Sequence, residues 1–163
     1  MTLAASPAVT VGRFAPDSGP LVVASIVDTG FLVALLDASD PHHAWSVRTA
    51  ARASGPWLTV EACITESLHC LSRRALPART RLFGWLERGL LLSSHALPER
   101  HSEVWTELTR YHGRSVDFAD ACLTVLSDLH PSLTLVTTDR RDFSVYLRGR
   151  SPRLLLTPSS WQP

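Results

Sequence analysis

Four aspartates fall where a carboxylate could meet a ligand. Asp28 ends the apolar run "VVASIVD", Asp139 ends "LTLVTTD", and Asp117 and Asp120 stand three apart in "DFADA". Ligands of open α/β sheets bind outside the carboxyl ends of the strands, near a topological switch point. If the strands before Asp28 and Asp139 are neighbours, these two acids share one crevice. An aspartate after a strand is also the ordinary cap of the next helix, so for either residue alone both readings stand. Asp117 and Asp120 would lie on one face in the first turn of a helix. Their mutual repulsion, roughly 0.2–0.5 kcal/mol, is matched by the attraction of a helix N-terminus, about 0.3–1 kcal/mol per acid. That pair can exist without a cation.

Glu66 is a fifth candidate, in the helix expected from about Val60 to Arg74. The apolar stripe there reads Val60, Ile64, Leu68, Leu71 and Ala75, which leaves Glu66 on the solvent side. Were it to join the aspartates, four or five negative charges would share one pocket. Such a pocket stays ionised only with a cation, because its carboxyls would otherwise retain protons. Hard oxygen donors in that number select Mg²⁺ or Mn²⁺ over zinc. Beside a phosphodiester, such an ion polarises a phosphoryl oxygen and acidifies an attacking water.

Composition narrows the alternatives. A 163-residue chain fits one domain with a real core. The formal charge of +1 argues against a general nucleic-acid coat but leaves room for local basic patches. All 16 basic residues are arginine, with no lysine anywhere. Chemistries built on a lysine, such as P-loop hydrolysis, protein phosphorylation and Schiff-base formation, lose their central group. A phospho-accepting receiver domain, which has a similar acidic pocket, also normally uses a lysine. Cys63, Cys70 and Cys122 are odd in number with no C-x-x-C spacing, so they read as reduced thiols of a cytoplasmic protein. Cys63 and Cys70 would be small apolar residues on one side of a helix. The run from Leu21 to Leu36 is too short to span a bilayer and is broken by Asp28. His42 and His43 point about 100° apart on a helix and read as surface residues, not one site.

Strands and helices alternate along the chain. Strands are expected at Val22–Val27, Trp57–Thr59, Leu90–Ser93, Leu133–Val136 and Arg153–Leu156. Helices are expected at Phe31–Leu36, from Asp40-Pro41 to Ala53, at Val60–Arg74, Pro77–Arg88, Pro98–His112 and Val116–Leu129, with a short one near Arg140–Leu147. Asp40 would cap its helix, with Pro41 at the first helical position. The pattern implies a single α/β domain, a central parallel sheet flanked by helices on both faces. It would span residues 21–158, between an N-terminal extension, residues 1–20, and a short tail, residues 159–163.

The segments "IVDTGFLVALLDASDPHHAW", "LTVEACITESLHCLSR", "YHGRSVDFADACLTVLSD" and "LTLVTTDRRDFSVY" resemble, in that order, those of PIN-domain ribonucleases. The likeness is greatest to the VapC-type toxins of bacterial toxin–antitoxin pairs. It runs from about Val22 to Leu147, and "DFADA" and the T-x-D of Thr137 to Asp139 are its most specific parts. The resemblance implies a small parallel α/β fold and an acidic site of Asp28, Glu66, Asp120 and Asp139, with Asp117 as an additional acid. It assigns Glu66, which periodicity did not, and it puts Thr137 at a hydroxyl position that orients a carboxylate or water. The implied activity is Mg²⁺- or Mn²⁺-dependent endoribonuclease cleavage leaving a 5′-phosphate and a 3′-hydroxyl.

Arg73, Arg74, Arg140 and Arg141 are candidates for gripping RNA phosphates, and equally for solvated helix ends. The implied partners are RNA, a cognate antitoxin and a second copy of the chain, with no membrane. An acid-lined binding module without catalysis and a housekeeping RNA-maturation nuclease are the competing readings. Members commonly begin close to the first strand, whereas about 20 residues precede it here.

Overall fold

The computed structural model describes residues 25–71, 76–94, 96–110, 116–148 and 155–158. The expected N-terminal extension and C-terminal tail lie outside these residues, as do Arg73 and Arg74. The elements run β1 (Ser25–Val27), α1 (Thr29–Leu36), α2 (His43–Ala50), β2 (Trp57–Val60), α3 (Glu61–Leu71) and α4 (Leu76–Glu87). There follow β3 (Leu91–Ser94), α5 (Ala96–Thr109), α6 (Phe118–Leu129), β4 (Thr134–Val136), α7 (Arg140–Tyr146) and β5 (Leu155–Leu156). The strands form one sheet in the order β3-β2-β1-β4-β5, and every pairing is parallel.

Successive residues of a strand face opposite sides of a sheet, and the core divides accordingly. Ile26, Leu58, Leu92 and Leu135 pack on one face with Val104, Leu123, Leu126 and Phe143. Val27, Leu91 and Val136 pack on the other with Phe31, Leu32, Trp45 and Leu82. Both faces are covered, as a parallel sheet requires. Phe31 meets Trp45 and Trp57 edge to face, each with ring centroids 5.8 Å apart. That aromatic packing, worth about 0.5–1.5 kcal/mol per pair beyond burial, fixes the helix that starts immediately after Asp28.

The chain leaves β1 for β2 on one side and later returns to β4 on the other. The order therefore reverses between β1 and β4, where Val27 is paired with Val136. This is the switch point, and Asp28 and Asp139 flank it.

α3 contributes to both core layers. Cys63 belongs to the first cluster, whereas Leu71, Ile64 and Leu68 belong to the second. The helix thus sits between α1 and α6, touching both. This overturns the expected single stripe. Val60 is in β2, Ala75 lies outside the described residues, and Cys63, Ser67 and Leu71 are the fully buried positions of α3. Glu66 is half-buried, not on the solvent side.

Other local expectations are corrected too. Asp40 does not cap α2, which starts at His43 and ends at Ala50. The Asp40 side chain accepts from His42 N at 2.8 Å and its carbonyl from His43 N at 3.0 Å, closing a turn before the helix. His42 and His43 are half-buried, and His43 Nδ1 lies 2.7 Å from the Ala34 carbonyl, tying α2 to α1. α5 begins at Ala96, ahead of Pro98, and its φ/ψ leaves helical values at Arg100 (−133°, 27°), so regular helix follows that kink. Cys63 is buried but Cys70 is exposed, and all three cysteines are free thiols. Among the described residues no helix is long and apolar enough to cross a membrane.

Candidate active site

Asp28 follows the last residue of β1 and caps α1. Its Oδ1 accepts from Phe31 N at 2.6 Å, and its Oδ2 accepts from the Thr137 hydroxyl. Its own N–H donates to the Val136 carbonyl at 3.2 Å, which extends the ladder between β1 and β4 by one bond. The carboxylate is 5% exposed. Burial is the main cause that pushes Asp28 up from 3.8 to about 6, against the lowering hydrogen bonds from Thr137 and Phe31. The negative charge of Asp139 adds to the rise.

Thr137 is fully buried and serves both strand-end acids. Its hydroxyl donates to Asp28 and accepts from Asp139 N at 2.8 Å. Asp139 in turn caps α7, with Oδ1 accepting from Asp142 N at 2.9 Å. For both acids the capping reading and the pocket reading are true together.

Asp117 caps α6 by accepting from Ala119 N at 2.8 Å, so it precedes the helix rather than standing inside its first turn. Asp120 lies in the first turn of α6. Its pKa is raised from 3.8 to about 7, first by burial and then by the charges of Asp117, Asp28, Glu66 and Asp139. Four separate segments of chain thus bring their acids within mutual electrostatic range. The fifth acid, Glu66, is held by Thr29, whose Oγ1 donates to Glu66 Oε2 at 2.6 Å.

The donor set is oxygen only, two of its acids, Asp28 and Asp120, have proton affinities raised by burial, and it fits a hard divalent cation. Among the described residues no three acidic, histidine or cysteine side chains are yet grouped to hold one ion. Asp28, Asp117 and Asp139 each satisfy a helix-start N–H instead, and Glu66 satisfies Thr29. Arg140 and Arg141 are exposed in the first turn of α7, next to Asp139 in the chain.

Two contributors escaped the sequence reading. One is Thr29. The other is Gly30, where an added Cβ would collide with Thr138 Oγ1 and come 3.4 Å from Asp28 Oδ2. Glycine here lets the β4–α7 turn close over the start of α1. The "D-T-G" after the first strand was the available signal, but its meaning depends on residues more than 30 positions away.

The PIN domain family matches residues 25–146, from the first residue of β1 to the last of α7. This chain belongs to the PIN domain family. Ribonuclease VapC26 of Mycobacterium tuberculosis (strain ATCC 25618 / H37Rv) is 29% identical over 121 residues, covering 73% of this chain and 89% of that protein. The crystal structure of Mycobacterium tuberculosis VapC20, described as a sarcin-ricin loop cleaving toxin, superposes with a TM-score of 0.65 at 21% identity. It covers 74% of this chain and 93% of that one, which supports the fold. The single parallel PIN domain expected from the sequence is borne out.

Proposed function

We propose that this PIN-domain protein is a VapC-type endoribonuclease, the toxin of a toxin–antitoxin pair, and that it depends on Mg²⁺ or Mn²⁺. The observation that carries the reading is Asp120, a half-buried acid in the combined field of Asp28, Glu66, Asp117 and Asp139 at the switch point of a PIN sheet. The likeness to ribonuclease VapC26 supports RNA as the substrate.

Asp28, Asp120 and Asp139 would hold the cation, with Asp117 as an additional acid at the start of α6. A cation bound there would polarise a phosphoryl oxygen, acidify the attacking water and steady the leaving oxygen. Thr137 keeps Asp28 and the backbone of Asp139 in one register, so that two ligands from neighbouring strands move as a unit. Glu66 would complete the cation's shell or orient the attacking water, and it would take that water's proton as the oxygen attacks phosphorus. The bond to the 3′ oxygen breaks, and that oxygen takes a proton from solvent water, giving a 3′-hydroxyl and a 5′-phosphate. Arg140 and Arg141, exposed and next after Asp139 in the chain, would contact substrate phosphates. A cognate antitoxin and a homodimer complete the proposal. Co-purification with the antitoxin and the mass of the isolated protein in solution test these two.

The deciding experiment is cleavage of total cellular RNA by the purified chain with Mg²⁺ or Mn²⁺, with EDTA, and by folded Asp28→Asn. Discrete fragments with 5′-phosphates, absent in EDTA and in the variant, are expected. A folded, cation-supplied protein that cleaves no RNA would leave the binding-module reading standing instead.

A further inference from the structure

Glu66 comes to the acid crevice from the middle of α3, without a helix-start N–H to hold it. A free glutamate side chain samples many rotamers, and ordering it opposes binding. The structure supplies the restraint from α1. Thr29 is the first residue of that helix, yet its hydroxyl plays no part in capping, because Asp28 already accepts from Phe31 N. It crosses to α3 and donates to Glu66 Oε2 at 2.6 Å.

The same hydroxyl lies 3.5 Å from the Cys63 carbonyl. A threonine has one proton to give, and the short contact to a carboxylate takes it. The carbonyl is a second acceptor within a small rotation. With Oε2 held by Thr29, the other oxygen of Glu66 is left to turn toward a cation. We infer that Thr29 is a positioning residue for Glu66, aiming one carboxylate oxygen while tethering the other, with the Cys63 carbonyl as its alternative partner. Because Asp28 and Thr29 are adjacent, one turn of backbone then sets both the buried acid from β1 and the orientation of the acid from α3. The inference rests on reading the crevice as a cation site.

The test is Mn²⁺ titration by calorimetry of the full chain and its Thr29→Val, Thr29→Ser, Glu66→Gln and Thr29→Val/Glu66→Gln variants, each with a thermal melt. Valine keeps the shape and removes the hydroxyl. It should weaken Mn²⁺ binding about tenfold, the effect of losing one hydrogen bond to a charged group. Serine should bind within about threefold of the parent, because the hydroxyl is retained. In the Glu66→Gln background the valine change should add nothing further, because coupled residues are not additive. Parent-like affinity in Thr29→Val overturns the inference. So does a valine effect that persists in full without Glu66, or a serine variant as weak as valine. Should valine fail to fold, Thr29→Ala carries the same expectations. A parent chain that binds no Mn²⁺ refutes the cation site itself, and Thr29's role with it.

Discussion

Asp28→Asn should make the cation-free protein more stable at neutral pH, although it removes a central site residue. Burial raises the Asp28 carboxyl from 3.8 to about 6. At about 1.4 kcal/mol per tenfold change in proton affinity, that difference amounts to about 3 kcal/mol. The direction follows from linkage. Below pH 4 the group is protonated in both folded and unfolded chains and costs nothing. Between about 4 and 6 the unfolded chain releases its proton while the folded chain keeps it, so stability falls as pH rises. Above about 6 the folded carboxyl ionises too, and the full destabilisation is present.

Asparagine cannot ionise. It can still accept from Phe31 N, but its amide replaces the oxygen that accepts from Thr137, at a cost of about 1 kcal/mol. The variant should therefore be less stable than the parent near pH 4 and more stable by about 2 kcal/mol at pH 7.5. Urea unfolding followed by tryptophan fluorescence, in EDTA from pH 4 to 8, measures both. Trp45 in the core reports the transition. Parallel pH profiles for the two proteins would refute the assignment of this destabilisation to Asp28. Saturating Mn²⁺ should reverse the order at pH 7.5, because an ion that binds only the folded parent stabilises it.

Gly30→Ala should cost about 1–3 kcal/mol in urea unfolding, since its methyl group displaces Thr138; it should also impair RNA cleavage by disturbing the adjacent Asp139. Thr137→Val should cost about 2–3 kcal/mol at pH 8, where it strips a donor from an ionised buried acid, and less at pH 4, as a pair of urea titrations would reveal. Asp139→Ala should lower stability by about 1 kcal/mol through loss of the α7 cap while Asp139→Asn largely retains it. Both should lose metal-dependent cleavage, which separates the capping role from the site role. Phe31→Ala should cost about 3–5 kcal/mol, the usual effect of emptying a fully buried aromatic position.

The strand-end acids were legible because their signal is local: a β-rich run, a carboxylate, then a helix former. The sequence could state that Asp28 and Asp139 share a crevice only if their strands are neighbours, and the β1–β4 pairing meets that condition. Glu66 was illegible from periodicity for an equally physical reason. A helix that packs on one layer shows one apolar stripe, but α3 packs on two. Cys63 and Ser67 face inward beside Leu71, while Ile64 and Leu68 form an adjoining half-buried row. The stripe drawn through Ile64 and Leu68 was displaced from the true centre of burial, and Glu66 was assigned to water. Asp40 misled because the same side-chain preference that favours helix caps also favours turns. The Thr29–Glu66 hydrogen bond spans 37 residues and has no local signature at all.

α3 also explains how so many acids coexist in a marginally stable fold. An acid cluster on one flexible loop could relax by spreading apart. Here the segments that bear the acids are anchored in different parts of the core: Val27 and Phe31 in one layer, Leu135, Phe143 and the α6 residues Cys122 and Leu126 in the other, and α3 between the two. Repulsion among the carboxylates acts against apolar packing on both faces of the sheet, so separating them would require opening that core. Held there, Asp28 and Asp120 have raised proton affinity, mainly from burial, with the neighbouring negative charges adding to it. The proposed cation would replace those protons at acids whose segments the core already holds, with Asp28 and Asp139 restrained by helix-start N–H groups and Glu66 by Thr29.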